Sequence, residues 1–144
     1  MLNQLFPSLL TLRLKRYASG VRWTETQSLE KNRELRQLIR QTLNKDEKAL
    51  AKLNDFWCGG GAGCYDLGFI VTQIIYRLGD KDFTEMVAKL DENELTGLEG
   101  LIMAGLEYGD NDKDGKMDNK KIDTEFPELL KQIETNRQLK KPNH

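Results

Sequence analysis

Residues 110–121 read DNDKDGKMDNKK, a short polar stretch in which aspartate recurs at alternate positions. In a turning loop such side chains point inward together, and Gly115 permits the sharp bend that this requires. A hard cation such as Ca²⁺ takes roughly six to eight oxygen ligands, which carboxylates and main-chain carbonyls supply. The stretch therefore predicts a weak calcium site. Its candidate ligands are the carboxylates of Asp110, Asp112, Asp114 and Asp118 and the main-chain carbonyl of Lys116.

This spacing resembles the calcium loops of EF-hand and dockerin modules over about a dozen residues. The aspartates and the glycine match positions one, three, five, six and nine of such a loop. The match ends at the twelfth position, where Lys121 replaces a bidentate glutamate and adds a positive charge. Asp123 or Glu125 is an alternative source of the last carboxylate. The alternative interpretation of the whole stretch is a solvated turn between helices, in which aspartate and glycine are common and lysines offset the charge.

The run CGGGAGC at residues 58–64 is the second stretch that could do chemistry. Cys64 stands at a predicted helix start, where the helix dipole lowers the pKa of a thiol and favours a nucleophile. A cysteine enzyme also needs a histidine base, and the only histidine is His144 at the far end of the chain. Cys58 and Cys64 could pair, but two thiols do not complete a zinc site. Close helix packing at the glycines, with small buried cysteines, is the favoured interpretation.

Hydrophobic periodicity favours an all-α fold, with one compact domain over residues 1–138 and a polar tail over 139–144. About six or seven short amphipathic segments with short connections are typical of antiparallel helices, and a stack of helical repeats is an open alternative. Residues 65–78 are the most apolar and are predicted to form the central helix, which ends at Gly79. Residues 11–23 alternate like a strand, but a single strand has no partner here.

Helix starts are predicted from polar residues that are followed three positions later by glutamate or glutamine. Such pairs are Thr24–Gln27, Asn44–Glu47, Asp82–Glu85 and Thr96–Glu99. Asp123 or Thr124 is predicted to open the last helix, in which Pro127 is tolerated in the first turn.

Opposite charges are concentrated in different parts of the chain. Residues 1–40 contain eight lysines and arginines against three glutamates, whereas residues 80–128 contain fifteen acidic residues against six lysines. An acidic face of this kind favours fast association with a protein partner that has a basic surface. The predicted partner-binding residues are Glu92, Glu94, Glu99 and Glu107.

These observations predict a non-catalytic protein-binding module. Bacterial immunity proteins that neutralise toxins have the same physical profile, although this comparison rests on analogy alone. A helical module braced by calcium is the alternative function, and a thiol enzyme using Cys64 is the third. A net charge of −1 disfavours nucleic acid as a partner.

No apolar run reaches the ~18 residues that a membrane-spanning helix needs. The opening MLNQLFPSLLTLRLKR has no positive residue before its apolar run and no small-residue cleavage site after it, unlike a signal peptide. We therefore expect a cytoplasmic protein without a membrane partner.

Overall fold

The computed structural model describes residues 25–56 and 62–141, with side chains from Glu30 in the first range and from Cys64 in the second. Seven helices and no strand lie in these ranges, which confirms the predicted all-α fold there. The helices are α1 (Glu25–Leu43), α2 (Glu47–Asn54), α3 (Ala62–Leu78), α4 (Asp80–Val87), α5 (Glu92–Tyr108), α6 (Ile122–Glu125) and α7 (Pro127–Leu139). The predictions made for residues 1–24, 57–61 and 142–144 lie outside the described residues.

Helices α3 and α5 cross at the centre of the molecule with their backbones in contact. A Cβ atom on Gly105 would overlap the carbonyl oxygen of Gly68 and the hydroxyl of Thr72. A Cβ atom on Gly68 would likewise overlap the carbonyl oxygen of Leu101, so only glycine permits this approach. The crossing fixes the C-terminal end of α5, and with it the loop that follows, beside α3.

The other helices cover this pair and share one hydrophobic core with it. α1 and α2 pack together and also contact α3 and α5, respectively, while α4 packs along α7. Fully buried side chains come from six helices, for example Leu35, Leu50, Ile74, Phe83, Leu98 and Ile133. None of the helices in the described ranges is long and apolar enough to cross a membrane.

The start of α2 differs from the predicted Asn44–Glu47 pair. The cap is Asp46, whose carboxylate accepts hydrogen bonds from the N–H groups of Lys48 at 3.0 Å and Ala49 at 3.2 Å. The prediction is wrong because Asn44 still belongs to the end of α1, where its N–H donates to the carbonyl of Arg40. Asp46 has the extended backbone that a cap requires.

Helices α4 and α5 both begin earlier than predicted. α4 starts directly after Gly79, whose φ of 89° turns the chain out of α3, so the Asp82–Glu85 pair lies inside the helix. α5 starts with a capping box, in which Asp91 and Glu94 each accept the main-chain N–H of the other at 2.8 Å. The predicted Thr96–Glu99 pair lies within α5, and Leu95, just before this pair, is already helical and buried.

The last helix, α7, is capped by a residue of another helix rather than by Asp123 or Thr124. Those two residues belong to the single-turn helix α6. The carboxylate of Asp80, at the start of α4, accepts hydrogen bonds from the N–H groups of Glu128 at 2.9 Å and Leu129 at 3.0 Å. The predicted proline in the first turn of the helix is confirmed.

We expect Asp80→Ala to lower the free energy of unfolding by about 1–2 kcal/mol, the range for losing a helix cap. Urea unfolding followed by circular dichroism measures the change. Asp123→Ala is the matched control, because this exposed carboxylate bonds only to the hydroxyl of Thr124 among the described residues. Its loss should change stability by less than about 0.5 kcal/mol. Equal losses in the two variants would contradict the role of Asp80.

Candidate cation-binding loop

The acidic stretch connects α5 to α6 and folds back on the end of α5. The last turn of a helix leaves carbonyl groups without an intrahelical partner. Three N–H groups from the second half of the loop donate to such carbonyls: Asp118 to Gly109 at 2.9 Å, Asn119 to Glu107 at 3.0 Å and Lys120 to Leu106 at 3.0 Å. The loop is therefore closed on a fixed scaffold.

The structure brings the four predicted aspartates together. Single carboxylate oxygens from each of Asp110, Asp112, Asp114 and Asp118 all lie within 4.8 Å of one another. Lys116 is exposed beside them, and its N–H donates to the carboxylate of Asp114 at 2.8 Å. The part that its carbonyl plays as a ligand stays a prediction.

Hydrogen bonds from the backbone of the loop hold this arrangement. Asp110 accepts from the N–H groups of Asp114 at 3.0 Å and Gly115 at 2.9 Å. Asp112 also accepts from the N–H of Asp114, at 3.2 Å. The φ angles of Lys113 (62°) and Gly115 (85°) turn the chain through the left-handed region twice. The first aspartate therefore organises the turn while it offers carboxylate oxygen.

The pKa values of two of these carboxyl groups are shifted in opposite directions. The N–H of Asp114 lowers the pKa of Asp112, but desolvation, the hydrogen bond with Asp110 and the nearby negative charges raise it above its ordinary value. Desolvation raises the pKa of Asp110, but hydrogen bonds from Gly115 and its loop neighbours outweigh this and lower it. Like charges at this distance disfavour full ionisation, and a bound cation would relieve that repulsion.

Asp118 is the buried member of the group, with a side chain that is 1% exposed. Its carboxylate accepts the N–H of Asn111 at 2.8 Å and lies 3.8 Å from the ammonium of Lys120. The amide of Asn111 accepts from Gln73 at 2.7 Å and donates to the carbonyl of Gly105 at 3.2 Å. These bonds tie the loop to α3 and α5. The sequence did not predict the bond between Gln73 and Asn111, because these residues are 38 positions apart.

Neither Asp123 nor Glu125 supplies the carboxylate that is missing at the twelfth position of the loop. Lys121 is exposed just before α6, and Asp123 is exposed on that helix. Glu125 lies 3.9 Å from the ammonium of Lys120. Glu125 also interacts with Tyr76, whose pKa is raised by burial and raised further by the charge and hydrogen bond of Glu125. The carboxylate of Glu125 therefore already has partners. Within the described residues the acidic group is limited to the four aspartates.

The donor set of the loop fits Ca²⁺ better than a transition metal. Carboxylates are hard oxygen donors, and no histidine or cysteine of the described residues joins the group. Calcium affinity falls as charged ligands are lost and as the loop becomes more flexible. A loop that lacks the bidentate glutamate is expected to bind with a Kd of roughly 10⁻⁴ M or weaker.

Two of the four glutamates predicted to bind a partner are engaged in contacts within the protein. Glu94 belongs to the capping box of α5, and Glu99 forms an ion pair with Arg137 of α7. Glu92 and Glu107 are exposed, but they stand at opposite ends of α5, roughly 22 Å apart along the helix axis. Binding of a basic partner to this face stays a prediction, with two of its four glutamates committed to internal contacts.

Cys64 lies half-buried near the start of α3 and is disulfide-bonded. The predicted partner in a pair, Cys58, lies outside the described residues. A sulfur in a disulfide is not the thiolate that a nucleophilic enzyme needs, so this geometry gives the thiol-enzyme hypothesis no support. Disulfides are typical of oxidising compartments, and the cytoplasmic location stays a prediction.

Comparison with known proteins identified no relative of this chain. No protein-family model matches the chain, and no significant match was found among curated proteins or solved structures. Function must therefore be argued from the geometry and chemistry of particular residues.

Proposed function

We propose that this protein is a non-catalytic helical module whose 110–118 loop binds Ca²⁺ and braces the junction between α5 and α6. The observation that carries the proposal is the approach of four carboxylates to within 4.8 Å of one another. Like charges so close repel one another unless a cation or protons compensate them. The calcium-loop spacing of these aspartates, together with the approach of their carboxylates, supports a cation over protons.

The anchoring of the loop favours a structural brace over a switch. Its second half is bonded to the last carbonyls of α5, and Asn111 ties its first half to Gln73 of α3. A cation would therefore stabilise a turn that is already formed, without opening a helix pair. A weak site is sufficient for this role, because saturation at about a hundred times Kd adds ~2.7 kcal/mol to folding stability.

Thermal unfolding with and without Ca²⁺ tests the proposal. We expect millimolar Ca²⁺ to raise Tm by several degrees over the same protein in EDTA, since each kcal/mol is worth roughly 2–4 °C in a domain near this size. Isothermal titration calorimetry should show one site with a Kd no tighter than roughly 10⁻⁴ M.

Matched variants separate binding at the loop from a general ionic effect. Asp112→Ala should abolish the rise in Tm, because its carboxylate belongs to the acidic group. Asp123→Ala removes the same charge from exposed α6, outside that group, and should retain the rise. A wild-type Tm that is indifferent to Ca²⁺ and EDTA, or an equal rise in both variants, would overturn the proposal.

A further inference from the structure

The outer face of α1 carries three exposed arginines in one stripe. Arg33, Arg36 and Arg40 are spaced by three and four residues, so they are neighbours on the helix surface. Leu35 and Ile39, which are 0% and 1% exposed, lie on the opposite side and turn the arginine stripe outward. Seven residues of helix separate its ends, so the stripe extends over roughly 10 Å.

The arginine stripe forms no ion pair with an acidic side chain of the described residues. Other acidic side chains in this part of the chain pair with lysines instead, in Lys31–Glu34 at 3.2 Å, Lys45–Asp82 at 2.8 Å and Lys89–Glu47 at 2.7 Å. Glu34 lies beside the stripe in sequence, but it forms its ion pair with Lys31. The three adjacent arginines are therefore exposed and form no ion pair with the described part of the chain.

Each position of the stripe is arginine, whereas the exposed face of neighbouring α2 carries Lys48 and Lys52. The planar guanidinium group binds a carboxylate through two parallel hydrogen bonds, which the point charge of lysine does not reproduce. The arginine stems add some apolar contact surface beside the charges. This residue choice favours recognition of carboxylates over simple solubility.

We propose that the arginine stripe is a docking surface for an acidic helix of a partner protein. A helix with glutamates or aspartates at the same spacing presents three carboxylates over the same ~10 Å, so each guanidinium can bind one of them. Such complementarity sets the orientation and the association rate of a complex. The described side chains of α1 include no exposed large hydrophobic group, so the complex is transient and salt-dependent.

Two other anionic partners fit the stripe less well. Nucleic acid binding typically neutralises many phosphates, whereas three arginines neutralise about three, and the acidic 80–128 region repels a long polyanion. In a second copy of this chain, the close acidic group of the described residues is the four loop aspartates, which lie within 4.8 Å of one another. So compact a group cannot match guanidinium groups spread over roughly 10 Å.

Fluorescence anisotropy with synthetic helical peptides tests the proposal in the full-length protein. The matched peptide carries glutamates at positions i, i+3 and i+7, and the scrambled peptide has the same composition with the glutamates spread around the helix. We expect the matched peptide to bind at least fivefold more tightly at low ionic strength. We also expect the combined change Arg36→Glu and Arg40→Glu to weaken its binding at least tenfold.

Two further variants distinguish the stripe from general charge effects. Lys48→Glu with Lys52→Glu reverses the same number of charges at the same spacing on exposed α2, and it should leave binding within about threefold. Arg36→Lys keeps the charge but should still weaken binding, because the bidentate contact is lost. Tm of each variant, measured in parallel, shows that the fold is retained.

Several outcomes would overturn the docking proposal. These are equal binding of the matched and scrambled peptides, equal losses in the α1 and α2 double variants, and undiminished binding of the matched peptide by Arg36→Lys. Tighter binding of a single-stranded DNA oligonucleotide would assign the stripe to nucleic acid. Self-association in analytical ultracentrifugation that is lost with Arg36→Glu and Arg40→Glu would assign it to a second copy.

Discussion

Gly105→Ala is expected to lower the free energy of unfolding by roughly 3 kcal/mol, at the upper end of the range for overpacking. The added methyl group would overlap the carbonyl oxygen of Gly68 and the hydroxyl of Thr72, where α3 and α5 cross. One of the clashing groups is main chain, so a change of side-chain rotamer cannot relieve the overlap. Urea unfolding should show the loss, and Tm should fall by roughly 10 °C.

Gly100→Ala is the matched control on the same helix. A Cβ atom there meets nothing within 4 Å, so alanine adds helix propensity without a clash. We expect it to raise stability by about 0.5–1 kcal/mol. If the two variants had similar stabilities, the close backbone contact between α3 and α5 would be wrong.

Lys121→Glu is expected to tighten Ca²⁺ binding at least tenfold, which corresponds to ~1.4 kcal/mol. The substitution supplies the bidentate carboxylate that calcium loops carry at this position and removes a positive charge that repels the ion. Lys121 is exposed and lies just before α6, so its replacement should leave the core intact. Isothermal titration calorimetry of the wild type and the variant measures the gain.

Lys116→Glu is the control for the charge alone. It makes the same change of charge within the same exposed loop, but its predicted contribution as a ligand is the main-chain carbonyl. We expect a gain in affinity of less than about threefold, the size of a screened surface effect. Equal gains in the two variants would show that position 121 does not reach the cation.

The acidic loop could be predicted from the sequence because its geometry is local. Asp110 accepts hydrogen bonds from residues four and five positions later, and Gly115 supplies the positive φ that the turn needs. The spacing of the residues therefore already contains most of the turn. Its anchoring by Gln73 could not be predicted, since no short-range pattern links that residue to Asn111.

The helix boundaries also divide into features that local sequence predicts and features that depend on tertiary contacts. Asp91 and Glu94 cap α5 with the spacing of a capping box, but the equally spaced Thr96 and Glu99 do not. Sequence spacing alone does not choose between them, and in the structure Leu95, which lies between the two candidate caps, is helical and buried in the core. The cap of α7 was beyond sequence reasoning, because Asp80 comes from a helix nearly fifty residues earlier.

The sequence by itself determined that the described part of this protein is helical and that one loop concentrates aspartates at calcium-ligand spacing. Both properties follow from side-chain periodicity and turn geometry, which act over a few residues. Only the tertiary structure decided which charges are available for binding. Glu99 forms an ion pair with Arg137 and Glu94 belongs to a helix cap, whereas the arginine stripe of α1 forms no ion pair among the described residues. The physical reason is that pairing between charges depends on which helices pack together, and that packing is set by contacts such as Gly68 against Gly105.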